Sequence, residues 1–205
     1  MNKDRDSVIV AVTGASGSIY AMRMIRALLM KDFHVHLVLS DYARVVINEE
    51  MGTSFDFRQP MGEQIRQLYA IPDHLGQITE YAVKNQAAAI ASGSFTIRGM
   101  VVIPCSMKTL AGIANGFSSN LIERAADVTL KERRRLIVVP RETPLNLIHL
   151  KAMTALTEAG GIVLPAMPAF YQQPKTIDDL ADFIAGRVLS LLGEEQSLYP
   201  GWKGN

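Results

Sequence analysis

Cysteine is almost missing from this chain. Cys105 stands alone among 205 residues, which excludes an internal disulfide and suits a reducing compartment. Long apolar runs are missing too, so no stretch reaches membrane-spanning length. Net charge is close to zero, +1 at pH 7, and the only basic block is 131–135, which argues against nucleic acid as a partner. That block suits a helix C-terminus, where the dipole favours cations. There is no repeat, low-complexity tract or linker, so the expectation is one domain over 1–205 with a polar tail from about 194. The opening MNKDRDS leads straight into a strand, without the apolar core of a signal peptide, and a cytoplasmic location is expected. What is present, 48% hydrophobic and 20% charged residues, is the make-up of a globular domain long enough to bury a core.

Strands and helices alternate along the chain. Ser7–Val12 (SVIVAV) is a β-branched run that ends in the turn TGASGS, and a helical pattern follows over 19–30. Residues 35–39 (VHLVL) form a second strand ending at Ser40, and 41–51 a helix. From 53 to 88 no period stands out, and a helix with loops is expected. Residues 89–99 (AIASGSFTIRG) are small and polar: a plain surface connection, or a mobile flap over a site. Two buried strands, 100–103 and 136–139, flank a helix-opening turn, Cys105-Ser106-Met107-Lys108-Thr109, and a helix over about 120–133. A helix from 143 to about 159 follows, with Pro144 in its first turn, then a short strand at 162–164. The prolines and aromatics of 165–171 suggest a rigid wall on a ligand pocket. Thr176 caps a last helix with the apolar stripe Ile177, Leu180, Ile184, Val188 and Leu191. The expected fold is α/β: a doubly wound, mostly parallel sheet with helices on both faces, Rossmann-like or flavodoxin-like.

In such sheets ligands bind beyond the carboxyl ends of the strands. Gly14 and Gly17 let the first turn approach an anion closely, and Ser16 and Ser18 add hydroxyls; the same turn is equally a tight strand–helix connection. The spacing is not G-x-G-x-x-G, and Ser40 stands where a ribose-binding acid would end the second strand. NAD is therefore disfavoured, and a mononucleotide such as FMN stays open. The segment 104–142 brings two strand ends, a phosphate-type turn and several cations together, as an anion-binding active site would.

TGASGSIYA at 13–21, PCSMKTLAGIANG at 104–116, NLIERAADVTLKERRRLIVVPRETPLNLIHL at 120–150 and PAFYQQP at 168–174 resemble the UbiX flavin prenyltransferases. The resemblance runs through nearly the whole chain and weakens over 53–88. It implies FMN bound by Gly14, Ala15, Ser16, Ser40, the turn Ser106, Met107, Lys108 and Thr109, and Arg141. It implies a prenyl phosphate site at Tyr171 and Arg187, with Arg124, Lys131 and Glu142 in the phosphate cluster. The implied reaction attaches a dimethylallyl group from dimethylallyl phosphate to N5 and C6 of reduced FMN and releases phosphate. Prenylated FMN would then serve UbiD-type decarboxylases, as in ubiquinone biosynthesis. A homododecamer with sites between subunits is implied, and no metal. Cations around the phosphate would stabilise the leaving group, Glu142 would hold or relay a proton to it, and Tyr171, with Trp202, would face the allylic cation. Ser16 and Glu50, rather than Glu49, would handle proton transfer during ring closure.

Without the resemblance these residues read differently. Lys131, Arg133 and Arg134 are a solvated helix end, and the latter two keep that reading here. Glu123 and Arg124 are an exposed pair, Arg187 faces solvent, and Tyr171 and Trp202 are packing residues. Cys105 is a small buried hydrophobe rather than a nucleophile, and His149 is structural. Two other functions compete. An FMN-dependent decarboxylase acting on cysteine-type carboxylates would carry a His after the second strand and a PxMNxxM motif. Here Asp41-Tyr42-Ala43 follows Ser40, and Pro165-Ala166-Met167-Pro168 lacks the Asn. A non-catalytic carrier of FMN or its prenylated form would use the same pocket, but would tolerate loss of Glu142 and Lys131.

Overall fold

The computed structural model describes residues 6–52 and 55–201. Six strands, β1 (Ser7–Val12), β2 (His34–Leu39), β3 (Gln77–Ala82), β4 (Gly99–Cys105), β5 (Arg135–Pro140) and β6 (Ile162–Val163), form one sheet in the order β3-β2-β1-β4-β5-β6. Every neighbouring pair is parallel. The sheet is therefore fully parallel, and its order is that of the dinucleotide-binding fold, although the glycine fingerprint of that fold is missing.

Side chains of β1 alternate between two cores. Val8, Val10 and Val12 pack with α1 (Ser18–Leu29), α2 (Asp41–Glu50), α3 (Met61–Tyr69) and α7 (Ile177–Leu191). Ile9 and Ala11 pack with α4 (Met107–Ala114), α5 (Leu121–Lys131) and α6 (Leu147–Glu158). Because each face is sealed by helices, β1, β4 and β5 read as near-continuous apolar runs and were legible from the sequence.

Several boundaries differ from expectation. The stretch 53–88 holds a strand, β3, as well as helix α3. Its six residues are all exposed or half-buried at the sheet edge, so no apolar alternation marked them. β4 does not stop at Pro104 but runs on to Cys105, paired with Pro140. The register shift between Val102 and Cys105 accommodates a residue that has no N–H to give the ladder. Helix α6 starts at Leu147 rather than 143, because Asn146 accepts the His149 N–H and the His149 ring accepts the Asn146 N–H. His149 is thus a capping residue, and Pro144 lies in the turn before the helix. Thr176 caps α7 as expected, but Ile177 is exposed rather than part of the apolar stripe. Residues 89–99 are not a free flap. They begin in a short 3₁₀ turn, Ala89–Ala91, and bury Ile90, Ala91 and Ile97. Arg134, expected at a solvated helix end, donates to the carbonyls of Phe95 and Gly93 and fastens the segment down.

Candidate functional site

The strand order reverses between β1 and β4, and there the carboxyl ends of neighbouring strands part. Thr13, just after β1, bridges the gap: its buried hydroxyl donates to the Pro104 carbonyl at 2.9 Å and accepts the Ser106 N–H at 2.7 Å. One threonine therefore holds the two loops in register. A cavity of about 400 Å³ opens beside it, lined by Thr13, Gly14, Ser40, Tyr42, Val83, Ser106, Lys108, Thr109, Asn120 and Ile122.

Three helix N-termini converge on this cavity, each with its own cap. Ser40 accepts the Ala43 N–H, Ser106 the Thr109 N–H, and Asn120 the Glu123 N–H. The caps make the rim polar, and the dipoles of α2, α4 and α5 make it positive. Gly14 is required by its surroundings, since a Cβ there would lie 2.6 Å from the Tyr42 Cβ.

The first turn forms a second cluster next to the cavity. Glu50, at the end of α2, accepts the N–H groups of Gly17 (2.9 Å) and Ser18 (2.7 Å). Its carboxylate thereby caps α1, which has no side-chain cap of its own. Burial alone would raise the Glu50 pKa, but the hydrogen bonds from Ser16, Ser18 and Gly17 outweigh it and hold the group below its usual range. Gly17 sits at φ +108°, a conformation L side chains rarely adopt. Across the turn, the Arg141 Nε donates to the Ser16 carbonyl at 3.1 Å, and Arg141 N–H donates to Cys105 O at 3.3 Å. Ser16, Glu50 and Arg141 are thus tied into one unit, and Glu50 rather than Glu49 makes the contact.

Of the expected residues, Gly14, Ser40, Ser106, Lys108 and Thr109 line the cavity, while Ala15 and Met107 are buried and do not line it. Glu142 follows Arg141 at the exposed strand end, its carboxylate accepting the Thr143 N–H. Arg124, in the first turns of α5, pairs with Asp127 at 2.9 Å. Its expected neighbour on an exposed surface, Glu123, is instead buried: it accepts the Ser119 N–H at 2.8 Å and faces Lys108 at 3.4 Å, over Gly112. Tyr171 and Arg187 share another flank. The Tyr171 ring meets Phe183 edge to face, and Phe183 and Arg187 are one helical turn apart on α7. The stretch 165–171 is not a closed wall within one chain, since Met167, Phe170 and Tyr171 are exposed.

Lys131 does not join the cavity. It ends α5, just before β5, and so lies where the strands begin, about 20 Å from Ser106 by strand length. Trp202 lies outside the described residues. Cys105 is fully buried, and burial pushes its thiol far up, which removes it as a nucleophile. Sequence reasoning missed Thr13, Tyr42, Val83, Asn120 and Ile122 as lining residues. Val83 follows the unrecognised β3, whereas Asn120 was visible as an N-cap before a helical pattern. Among the described residues no three metal-ligating side chains form a group, and no helix is long and apolar enough to cross a membrane.

The sequence model of the flavoprotein family matches residues 1–189. The flavin prenyltransferase UbiX of Halalkalibacterium halodurans is 49% identical over 193 residues, 94% of this chain and 91% of that protein. The chain belongs to the UbiX flavin prenyltransferases. Two solved structures carry the likeness into three dimensions. AnUbiX (PadA1) in complex with FMN and dimethylallyl pyrophosphate superposes with a TM-score of 0.85 at 40% identity, covering 98% of both chains. A dodecameric FMN-dependent UbiX-like decarboxylase from Escherichia coli O157:H7 gives 0.83 at 42% identity, covering 97% of this chain and all of that one. UbiX membership agrees with the site's plan: a flavoprotein fold whose cavity sits at the strand-order reversal.

Proposed function

We propose that this chain transfers a dimethylallyl group from dimethylallyl phosphate to N5 and C6 of reduced FMN and releases phosphate. The observation that carries the reading is the cavity of Gly14, Ser40, Ser106, Lys108 and Thr109 joined to the Ser16–Glu50–Arg141 unit. Its volume is that of a small-molecule site, and its donor-rich rim suits a flavin mononucleotide. FMN supplies the electron-rich ring that accepts the prenyl carbon. Glu50 already occupies the Gly17 and Ser18 N–H groups, so Gly14, Ala15 and Ser16 hold the flavin by shape. Ser40, Ser106, Met107, Lys108 and Thr109 supply hydroxyls, N–H groups and a cation for its polar groups, and Arg141 closes the side near Ser16. Ser16 and Glu50 take the proton lost on ring closure.

The leaving phosphate needs cations and a proton. Arg124, Lys131 and Arg187 provide the charge, Glu142 the proton, and Tyr171 an aromatic face for the developing allylic cation. These groups are dispersed in one chain, Lys131 at the far end of the sheet, which supports sites completed by neighbouring copies in a dodecamer. The product would pass to a UbiD-type decarboxylase in the cytoplasm, with ubiquinone biosynthesis as one setting.

Anaerobic incubation with reduced FMN and dimethylallyl phosphate, followed by mass spectrometry of the flavin, tests the reading. The expected product is heavier by one five-carbon prenyl unit and absent with Glu142→Gln. Bound but unmodified FMN, with either the monophosphate or the diphosphate, would leave a carrier as the better account.

A further inference from the structure

Lys108 is the only residue with a formal charge among the ten described residues that line the cavity. Its side chain is 78% exposed, so packing does not fix where the ammonium goes. A carboxylate does. The Glu123 side chain is only 2% exposed, and its Oε1 faces the Lys108 Nζ at 3.4 Å. That carboxylate is itself held: Oε2 accepts the Ser119 N–H at 2.8 Å, and the Glu123 N–H donates to the Asn120 side chain at 3.1 Å. On α4 the room for it is made by Gly112, one helical turn beyond Lys108, where a Cβ would lie 3.0 Å from Oε1. Burial by itself would raise the Glu123 pKa, but the hydrogen bonds from Ser119 and the Lys108 ammonium bring it below its usual range. The anion therefore persists at neutral pH. A helix cap alone does not need this arrangement. The N-terminus of α5 already has Asn120 as its cap, and an exposed first-turn acid would serve the dipole without the cost of leaving water. Here the acid is buried against the one cation of the cavity.

We infer that Glu123 is a positioning residue of the flavin site, holding the Lys108 ammonium at the cavity wall to meet the phosphate monoester of FMN. The inference rests on the proposed function for the identity of the ligand, and adds the residue that makes the cavity prefer the phosphorylated flavin. A lysine free to swing loses its rotamer freedom when it binds an anion, whereas a tethered one has lost it beforehand. The three helix N-termini around the cavity favour an anion, and Lys108 adds a point charge at one place among them. Glu123 does not line the cavity, so it directs the lysine without offering its own charge to the ligand.

The test compares wild type with Glu123→Gln, Lys108→Met and the double variant, by flavin-fluorescence titration with FMN and with riboflavin. Lys108→Met is expected to weaken FMN about tenfold, the loss of one charge-assisted contact. Glu123→Gln is expected to weaken it about fivefold, since the lysine stays but its rotamers are freed. Neither should change riboflavin, which has no phosphate. In the Lys108→Met background Glu123→Gln adds nothing, because its effect passes through the lysine. The Gln amide oxygen still accepts the Ser119 N–H, and urea unfolding with native mass spectrometry reports fold and assembly. Should Glu123→Gln fail to fold, Glu123→Asp keeps the acidic first turn but withdraws the carboxylate from Lys108, and the same FMN-specific weakening is expected. Equal weakening of FMN and riboflavin would make Glu123 a cap of α5 only. Unchanged FMN affinity would overturn the inference, and so would tighter FMN, which would show the carboxylate competing with the phosphate for the ammonium. Losses that add in the double variant would show that Glu123 does not act through Lys108. If wild type binds FMN without prenylating it, the functional reading falls, while the FMN-against-riboflavin comparison still judges Glu123.

Discussion

The two ends of the sheet are both polar and both hollow, yet they differ in kind. At the carboxyl ends the cavity is about 400 Å³, and its polar groups are caps and turn amides held in place by one another. At the amino ends a larger hollow, about 740 Å³, is lined by Asp6, Asp32, His34, His36 and His74 among others. There the charges are spent on structure. Arg98 pairs with Asp6 and Glu194, and Asp32 accepts the Gly76 N–H. The His36 Nε2 is buried without a hydrogen-bond partner among the described residues. Size therefore does not mark the site. What marks it is several donors, already oriented, converging on space they do not fill.

The comparison is broken most severely by removing the charge that organises the carboxyl end. Glu50→Gln keeps the shape but takes the anion from the α1 N-terminus and the base from beside Ser16. Prenylation is expected to fall by about 10²- to 10³-fold, within the range of general acid–base groups. The helix should lose only about 1 kcal/mol of stability. Single-turnover formation of the prenylated flavin, beside a melting curve, separates the two effects. Equal activity in the variant would make Glu50 a cap and nothing more.

At the amino end the largest effect should come from pH. Burial, with His34 as a second cause, lowers the His36 pKa to about 4. The unfolded chain binds that proton near pH 6.5 and the folded chain only near 4, so stability is lost as pH falls between them and levels off below. The full cost is about 3 kcal/mol. Urea unfolding at pH 7 and pH 4.5, at fixed protomer concentration, should show a steeper loss in wild type than in His36→Gln. Parallel loss in both would assign the acid sensitivity elsewhere.

How much of this was visible in the sequence depends on what sealed each segment. Both faces of β1, β4 and β5 are covered, so their composition announced them, and the segment 104–142 supplies five of the residues that line the cavity. β3 has one strand neighbour and exposed side chains, so packing left no period in 77–82, and Val83 was lost with it. Of the caps, Thr176 was legible by its acidic first turn, whereas Ser40 was read as a strand end and its capping of α2 emerged only from the fold. Thr13 was not legible either, because its two partners lie 91 and 93 residues away. Arg134 was misread for the same reason: a cation at a helix end looks solvated until the loop it holds is folded beside it.

Thr13 makes the next test. Thr13→Val keeps the volume and leaves the Pro104 carbonyl the backbone N–H of residue 13 at 3.2 Å, but it strands the Ser106 N–H, which costs about 2 kcal/mol. FMN affinity should fall with stability, because the loops after β1 and β4 both line the cavity. Chemical denaturation and flavin titration measure the two. A destabilised protein with unchanged FMN affinity would show that the bridge is scaffold only.

The smallest effects separate capping from binding. Ser40→Ala and Asn146→Ala each remove an N-cap, and each should cost about 1 kcal/mol of stability. Both caps sit at the carboxyl ends of strands, but only Ser40 lines the cavity; Asn146 serves α6, outside it. If the caps converge on the cavity in order to hold a ligand, Ser40→Ala weakens FMN several-fold and Asn146→Ala leaves it untouched at matched stability loss. Equal weakening by both would mean that affinity follows general rigidity of this end of the sheet, and that the polar rim is a consequence of starting helices there rather than a device for binding.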